Sequence, residues 1–142
     1  LGAQLAGADQ KETTALTQYG RCLGIAFQIS DDLLDIAGSE SKTGKSLGTD
    51  LIQEKPTLPV IRALTLADPI QREQLLDVLR GQSDGEVTWL RHFLQQSGAL
   101  DYAKQKGREF AQQAIEQLTA IPQRPATASL RKLGEFVVAR SH

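Results

Sequence analysis

Methionine is absent from the 142 residues, tryptophan occurs once, and cysteine once, as Cys22. A lone cysteine rules out an internal disulfide, and its place inside an apolar run predicts a buried thiol rather than a nucleophile. An excess of one charge is also lacking. Sixteen basic residues stand against 17 acidic ones, a formal net charge of −1, which gives no electrostatic footprint for nucleic acid or an anionic membrane surface. No apolar run is long enough to span a bilayer, and no signal-peptide pattern is present, so the expected location is cytoplasmic. Strand-like alternation, a repeat period and low-complexity segments are missing too. With 40% hydrophobic and 23% charged residues, the chain has enough apolar material for one modest domain with a core.

The pattern that remains is helical throughout. Leu1 to Ala8 is small and apolar, the expected tail of a helix, and Asp9-Gln10-Lys11-Glu12 reads as a polar turn. From Thr13 or Thr14 to Ala37, apolar residues at Leu16, Tyr19, Leu23, Phe27 and Leu34 start with helical spacing and then fill the circumference, which predicts a central helix. Gly20 and Gly24 each lower its propensity by about 1 kcal/mol relative to Ala. Close approach of a neighbouring helix or a substrate would explain them, and so would plain helix packing. Leu58 to Leu66 predicts a short helix, and Asp68-Pro69-Ile70-Gln71 an N-cap, a proline at the first helical position and a capping-box glutamine. Leu75, Leu76 and Leu79 are the expected buried stripe of that helix, which Gly81 would stop. Ser83-Asp84-Gly85-Glu86 is a second capping-box candidate, opening a helix with Trp89, Leu90, Phe93 and Leu94 that ends near Gly98.

The longest later helix is expected from about Leu100 to Leu118. Its inner side would carry Ala103, Gly107, Phe110, Ala111, Ala114, Ile115 and Leu118, and its exposed side Lys104, Lys106, Arg108 and Glu109. After Pro122 and Pro125 a last helix is expected, with Leu130, Leu133, Phe136 and Val137 as its apolar residues. His92 has no acidic or cysteine neighbour at ligand spacing and reads as surface or packing.

One stretch stands apart chemically. Gly24-Ile25-Ala26-Phe27-Gln28-Ile29-Ser30-Asp31-Asp32-Leu33-Leu34-Asp35-Ile36 sets three carboxylates in an otherwise apolar run. On a helix, Asp31 and Asp35 point the same way, with Gln28 one turn earlier and Asp32 on the flank. Like charges at that spacing cost roughly 0.2–0.5 kcal/mol even when exposed. Gly38 is a natural helix stop, which places the acids in the last two turns, where the helix dipole disfavours negative charge. A hard cation would compensate, since a few carboxylates with water and substrate phosphates are the usual magnesium ligands. A solvated acidic helix end is the plain alternative. Beyond it, Ser39 to Asp50 is rich in Gly, Ser and Thr and reads as a loop, with Lys45 on it and Lys55 ahead of Pro56-Thr57-Leu58-Pro59. Such lysines can meet a polyphosphate as mobile point charges, although most loop lysines are simply solvated.

Gly24 to Asp35, then Thr43-Gly44-Lys45, Gly48-Thr49-Asp50 and Lys55-Pro56-Thr57-Leu58-Pro59, together resemble the second aspartate-rich region of the trans-isoprenyl diphosphate synthases, the polyprenyl synthetase family. Glu54 stands where the family often has glycine. The resemblance begins about halfway along the family pattern, so the first aspartate-rich motif has no counterpart here. It implies an all-α fold, with residues 1–142 as the C-terminal half of one isoprenoid synthase helical bundle, and an enzyme that condenses isopentenyl diphosphate with an allylic diphosphate. It also implies Mg2+ held by Asp31, Asp32 and Asp35, diphosphate contacts from Gln28, Lys45, Asp50 and Lys55, and catalytic roles for Asp31, Asp35 and Lys45. A homodimer is the expected assembly, and the segment alone is expected to be inactive. The alternatives are a noncatalytic partner subunit of a prenyl synthase and a terpene cyclase.

Overall fold

The computed structural model describes residues 1–37, 57–80 and 87–140. Every regular element among them is helical. A short α1 covers Gly2–Leu5 and a long α2 covers Gln10–Ala37. They are followed by α3 (Leu58–Leu66), α4 (Pro69–Leu79), α5 (Val87–Gln96), α6 (Ala99–Gln117) with a 3-10 turn at Leu118–Ala120, and α7 (Pro125–Arg140).

α2 starts one turn earlier than the apolar spacing predicts. The polar stretch is a cap rather than a turn: the Glu12 N–H donates to Asp9 Oδ1 at 2.7 Å, and the Asp9 N–H donates to Glu12 Oε2 at 3.1 Å. This reciprocal pair satisfies two of the donors that a helix start leaves open. At α4 the expected cap is present. Asp68 Oδ1 accepts from the N–H groups of Ile70 and Gln71, and Gln71 Oε1 accepts from the Asp68 N–H. Pro69 opens the helix without forfeiting a hydrogen bond. Gly98, at φ +72°, makes the left-handed turn between α5 and α6 that a side chain would strain. Gly81 and Ser83 to Glu86 lie outside the described residues.

The chain falls into two compact units, Leu1–Ser30 with Lys104–His142, and Asp31–Ala103. In the second, Ile36, Val60, Ala63, Leu75, Val78, Leu90, Leu94 and Ala99 form one buried cluster, flanked by Trp89 and Phe93 stacked with their centroids 5.2 Å apart. Val78 with Leu75 makes the buried stripe of α4, while Leu76 and Leu79 are only partly covered. The rotation of about 100° per residue puts Val78 on the inner row beside Leu75 and carries Leu76 to its flank.

The first unit packs α2, α6 and α7 through smaller groups. Tyr19, Ala114 and Leu118 form one cluster, and Ala26, Ala111 and Val137 another. The expected inner row of α6 is confirmed from Ala103 to Leu118, with Phe110 partly covered, but Lys104, Lys106, Arg108 and Glu109 are half-buried rather than exposed. Long side chains lie along apolar surface and keep only their heads in water. On α7 Val137 is buried and Leu130 half-buried. Leu133 and Phe136 are exposed, and the covered positions are Thr127, Gly134 and Val137, a row that turns small residues toward α6. The apolar circumference of α2 is not wholly buried: Gly20, Gly24, Phe27 and Leu34 are exposed, and among the described residues no atom outside each glycine's own stretch of helix lies within 4 Å of where its Cβ would sit. Neither glycine marks a close approach by another of the described residues. Cys22 is half-buried, its Sγ 4.0 Å from Gln113 Oε1, and His92 is exposed.

Candidate functional site

The site is built on the C-terminal turns of α2. Ile29, Leu33 and Ile36 anchor one side of these turns in the protein interior, and the helix period then rotates the intervening polar residues away from it. Gln28 and Asp35 are exposed, and Asp31 and Asp32 are half-buried. Gln28, Asp31 and Asp35 therefore share one row that reaches solvent, with Asp32 on its edge. The apolar residues on either side of the acids therefore do not exclude solvent from them. Ser30, between the polar row and the core, is 1% exposed, and its hydroxyl has no hydrogen-bond partner among the described residues. Sequence reasoning had no signal for that group.

No basic residue of α2 itself lies in its last turn, so the helix supplies no positive charge of its own at its negative end. Each acid so placed costs a few tenths of a kcal/mol. A positive group from outside the helix would offset that cost. Among the described residues, no three His, Cys, Asp or Glu side chains gather closely enough to hold a metal by themselves. That geometry still suits magnesium, which is ordinarily held by one or two carboxylates, with water and substrate phosphates completing the octahedron. The donor set, carboxylate oxygens four residues apart on one helix, is of the hard type that this ion takes. Lys45, Asp50 and Lys55 lie outside the described residues. No helix among the described residues is long and apolar enough to cross a membrane.

The polyprenyl synthetase family model matches residues 1–96. The short chain isoprenyl diphosphate synthase of Methanothermobacter thermautotrophicus is 35% identical over 141 residues, which are 99% of this chain and 43% of that protein. Among solved structures, a decaprenyl diphosphate synthase from Rhodobacter capsulatus superposes with a TM-score of 0.85 at 33% identity, over 99% of this chain and 43% of the other. A geranylgeranyl pyrophosphate synthase from Corynebacterium glutamicum, solved with calcium and isoprenyl diphosphate, gives 0.79 at 34% identity, over 99% and 44%. The chain thus spans less than half the length of the proteins it matches. With the matching family model, the all-α architecture and the ordered motifs from Gly24 to Pro59, the chain belongs to the polyprenyl synthetase family, and corresponds to the C-terminal half of its members.

Proposed function

We propose that this chain supplies the allylic-diphosphate side of a prenyltransferase site that joins isopentenyl diphosphate to an allylic diphosphate. The observation that carries this reading is the polar row Gln28, Asp31 and Asp35 at the dipole-negative end of a 28-residue helix, opening to solvent. Asp31 and Asp35, with Asp32 beside them, would hold magnesium, which when bound stabilises the charge gathering on the departing diphosphate. Lys45 and Lys55 would neutralise the diphosphate oxygens directly. Gln28 would donate its amide N–H to an aspartate, a water or the substrate, and Asp50 would orient a lysine or a bound water. In this reading residues 1–142 are one portion of a single domain, homodimerisation and a cytoplasmic location go with it, and the chain alone does not turn over.

The test is a chimera in which this chain replaces the matching part of the Methanothermobacter synthase. Magnesium-dependent elongation of an allylic diphosphate is expected only when isopentenyl diphosphate is supplied, and Asp31→Ala should lower turnover by about a hundredfold or more with helicity unchanged. Near-normal turnover of Asp31→Ala would remove the metal role. Product formed without isopentenyl diphosphate would indicate a cyclase, and an inactive chimera whose chain alters the product length of a complete homologue would indicate a partner subunit.

A further inference from the structure

Two arginines of the second unit carry nitrogens that water cannot reach and that have no acceptor. On α3, Arg62 Nε is closed to solvent without a hydrogen bond, and on α5 the same holds for Arg91 Nε and Nη2. Neither side chain has an ion-pair partner among the described residues. A buried donor without an acceptor is uncommon in folded proteins, and a charged one is costlier still, since a guanidinium cannot shed its proton to escape. An ion that completes the hydrogen bonds resolves such a group. The positions of these atoms say which kind of ion. Nε and Nη2 form the edge with which a guanidinium grips two oxygens of one anion side by side, and in Arg91 both are unpaired. In Arg62 the face of the group is in use, with Cζ 4.6 Å over the centre of the Tyr102 ring. That stacking holds the plane of the guanidinium and leaves its edge for an acceptor.

The two arginines lie at one level of the unit. Ala63 and Leu90, their neighbours in sequence, belong to the same buried cluster. A cavity lined in part by Leu66, Phe93, Gln96 and Ser97 brings the C-terminal ends of α3 and α5 together, and Arg62 and Arg91 stand about one turn back from it along their helices. Each is half-buried as a whole residue, so each side chain keeps a route to solvent. We propose that Arg62 and Arg91 form a binding site for a phosphate group, free or as part of a diphosphate, with the Nε and Nη2 edge of Arg91 as its bidentate contact. Two positive charges match a doubly charged phosphate better than a single carboxylate. The site is on other helices than the acid row of α2, needs no metal, and does not rest on the proposed reaction.

The test follows the arginine Nε–H resonances of the chain by NMR during titration with inorganic phosphate, with diphosphate and with acetate, in magnesium-free buffer containing a chelator. Phosphate and diphosphate are expected to shift the Arg62 and Arg91 signals along saturable curves, and the tighter of the two identifies the form the site takes. Arg91→Lys, which keeps the charge and loses the fork, should weaken binding by about tenfold or more. Arg80→Lys, at the exposed end of α4, should not. Where Arg91→Lys alters the circular dichroism, Arg62→Lys takes its place. Asp31→Ala should bind as the parent chain does, which keeps this result apart from the fate of the proposed metal site. Resonances unmoved by both phosphates, binding indifferent to the lysine variants, or a preference for acetate would overturn the proposal.

Discussion

The Tyr19 hydroxyl donates to the Leu130 carbonyl oxygen at 2.8 Å, across 111 residues of sequence. It joins α2 to α7 in the first unit, and the ring of Tyr19 is packed with Ala114 and Leu118. A buried hydroxyl without an acceptor would cost free energy, so this contact lets an amphipathic side chain serve as a core residue.

Tyr19→Phe keeps the ring and removes the donor, leaving the Leu130 carbonyl, inside α7, with its helical bond alone. A loss of about 1 kcal/mol in denaturant unfolding is expected at neutral pH. Burial raises the Tyr19 pKa above its ordinary value of 10.0. The folded state therefore holds this proton more tightly than the unfolded chain. Stability is fully present below about pH 10 and falls as pH rises through the folded pKa. The parent protein should lose stability in that alkaline window and Tyr19→Phe should lose less; parallel pH curves for the two would refute this.

At Gly134 an added Cβ would collide, 2.7 Å from Ile115 Cγ1. Gly134→Ala should destabilise the chain by about 1–3 kcal/mol through overpacking, despite the gain in helix propensity. Ile115→Ala in the same chain should recover part of that loss, a non-additivity expected of touching residues. Gly20→Ala, into open space, should instead raise stability by about 1 kcal/mol. Thermal melts of the set decide between the two behaviours.

Asp35→Asn removes a like charge from the negative end of α2. In the isolated chain it should raise stability by a few tenths of a kcal/mol at low ionic strength, an effect that fades with salt. In the chimera the same change should lower turnover. Opposite signs in the two measurements identify a residue kept for what it binds; a stability loss in the isolated chain would point to a structural role.

Asp68→Ala removes the acceptor for two N–H groups at the start of α4. About 1 kcal/mol should be lost, with Asp68→Ser recovering most of it. Equal melting of Ala and Ser variants would show that the capping bonds contribute nothing.

Sequence by itself determined the class of fold and the existence of each described helix from α2 onward, because helical periodicity and caps are local. The Asp68 cap was legible since Pro69 and Gln71 confirm it within one turn. The Asp9 cap was overlooked since polar residues ahead of an apolar run look alike whether they turn or cap, and only the paired Glu12 bond tells them apart. Tertiary structure decided which apolar residues go inside. Phe136 and Val137 are equally apolar, yet α7 meets its neighbours with Gly134 and Val137, and packing closely on Ile115 leaves no room for a larger row. It also decided that the acid row of α2 faces outward, for the direction of a helix face depends on what packs against its back, and for Asp31 and Asp35 that is fixed by the burial of Leu33 and Ile36.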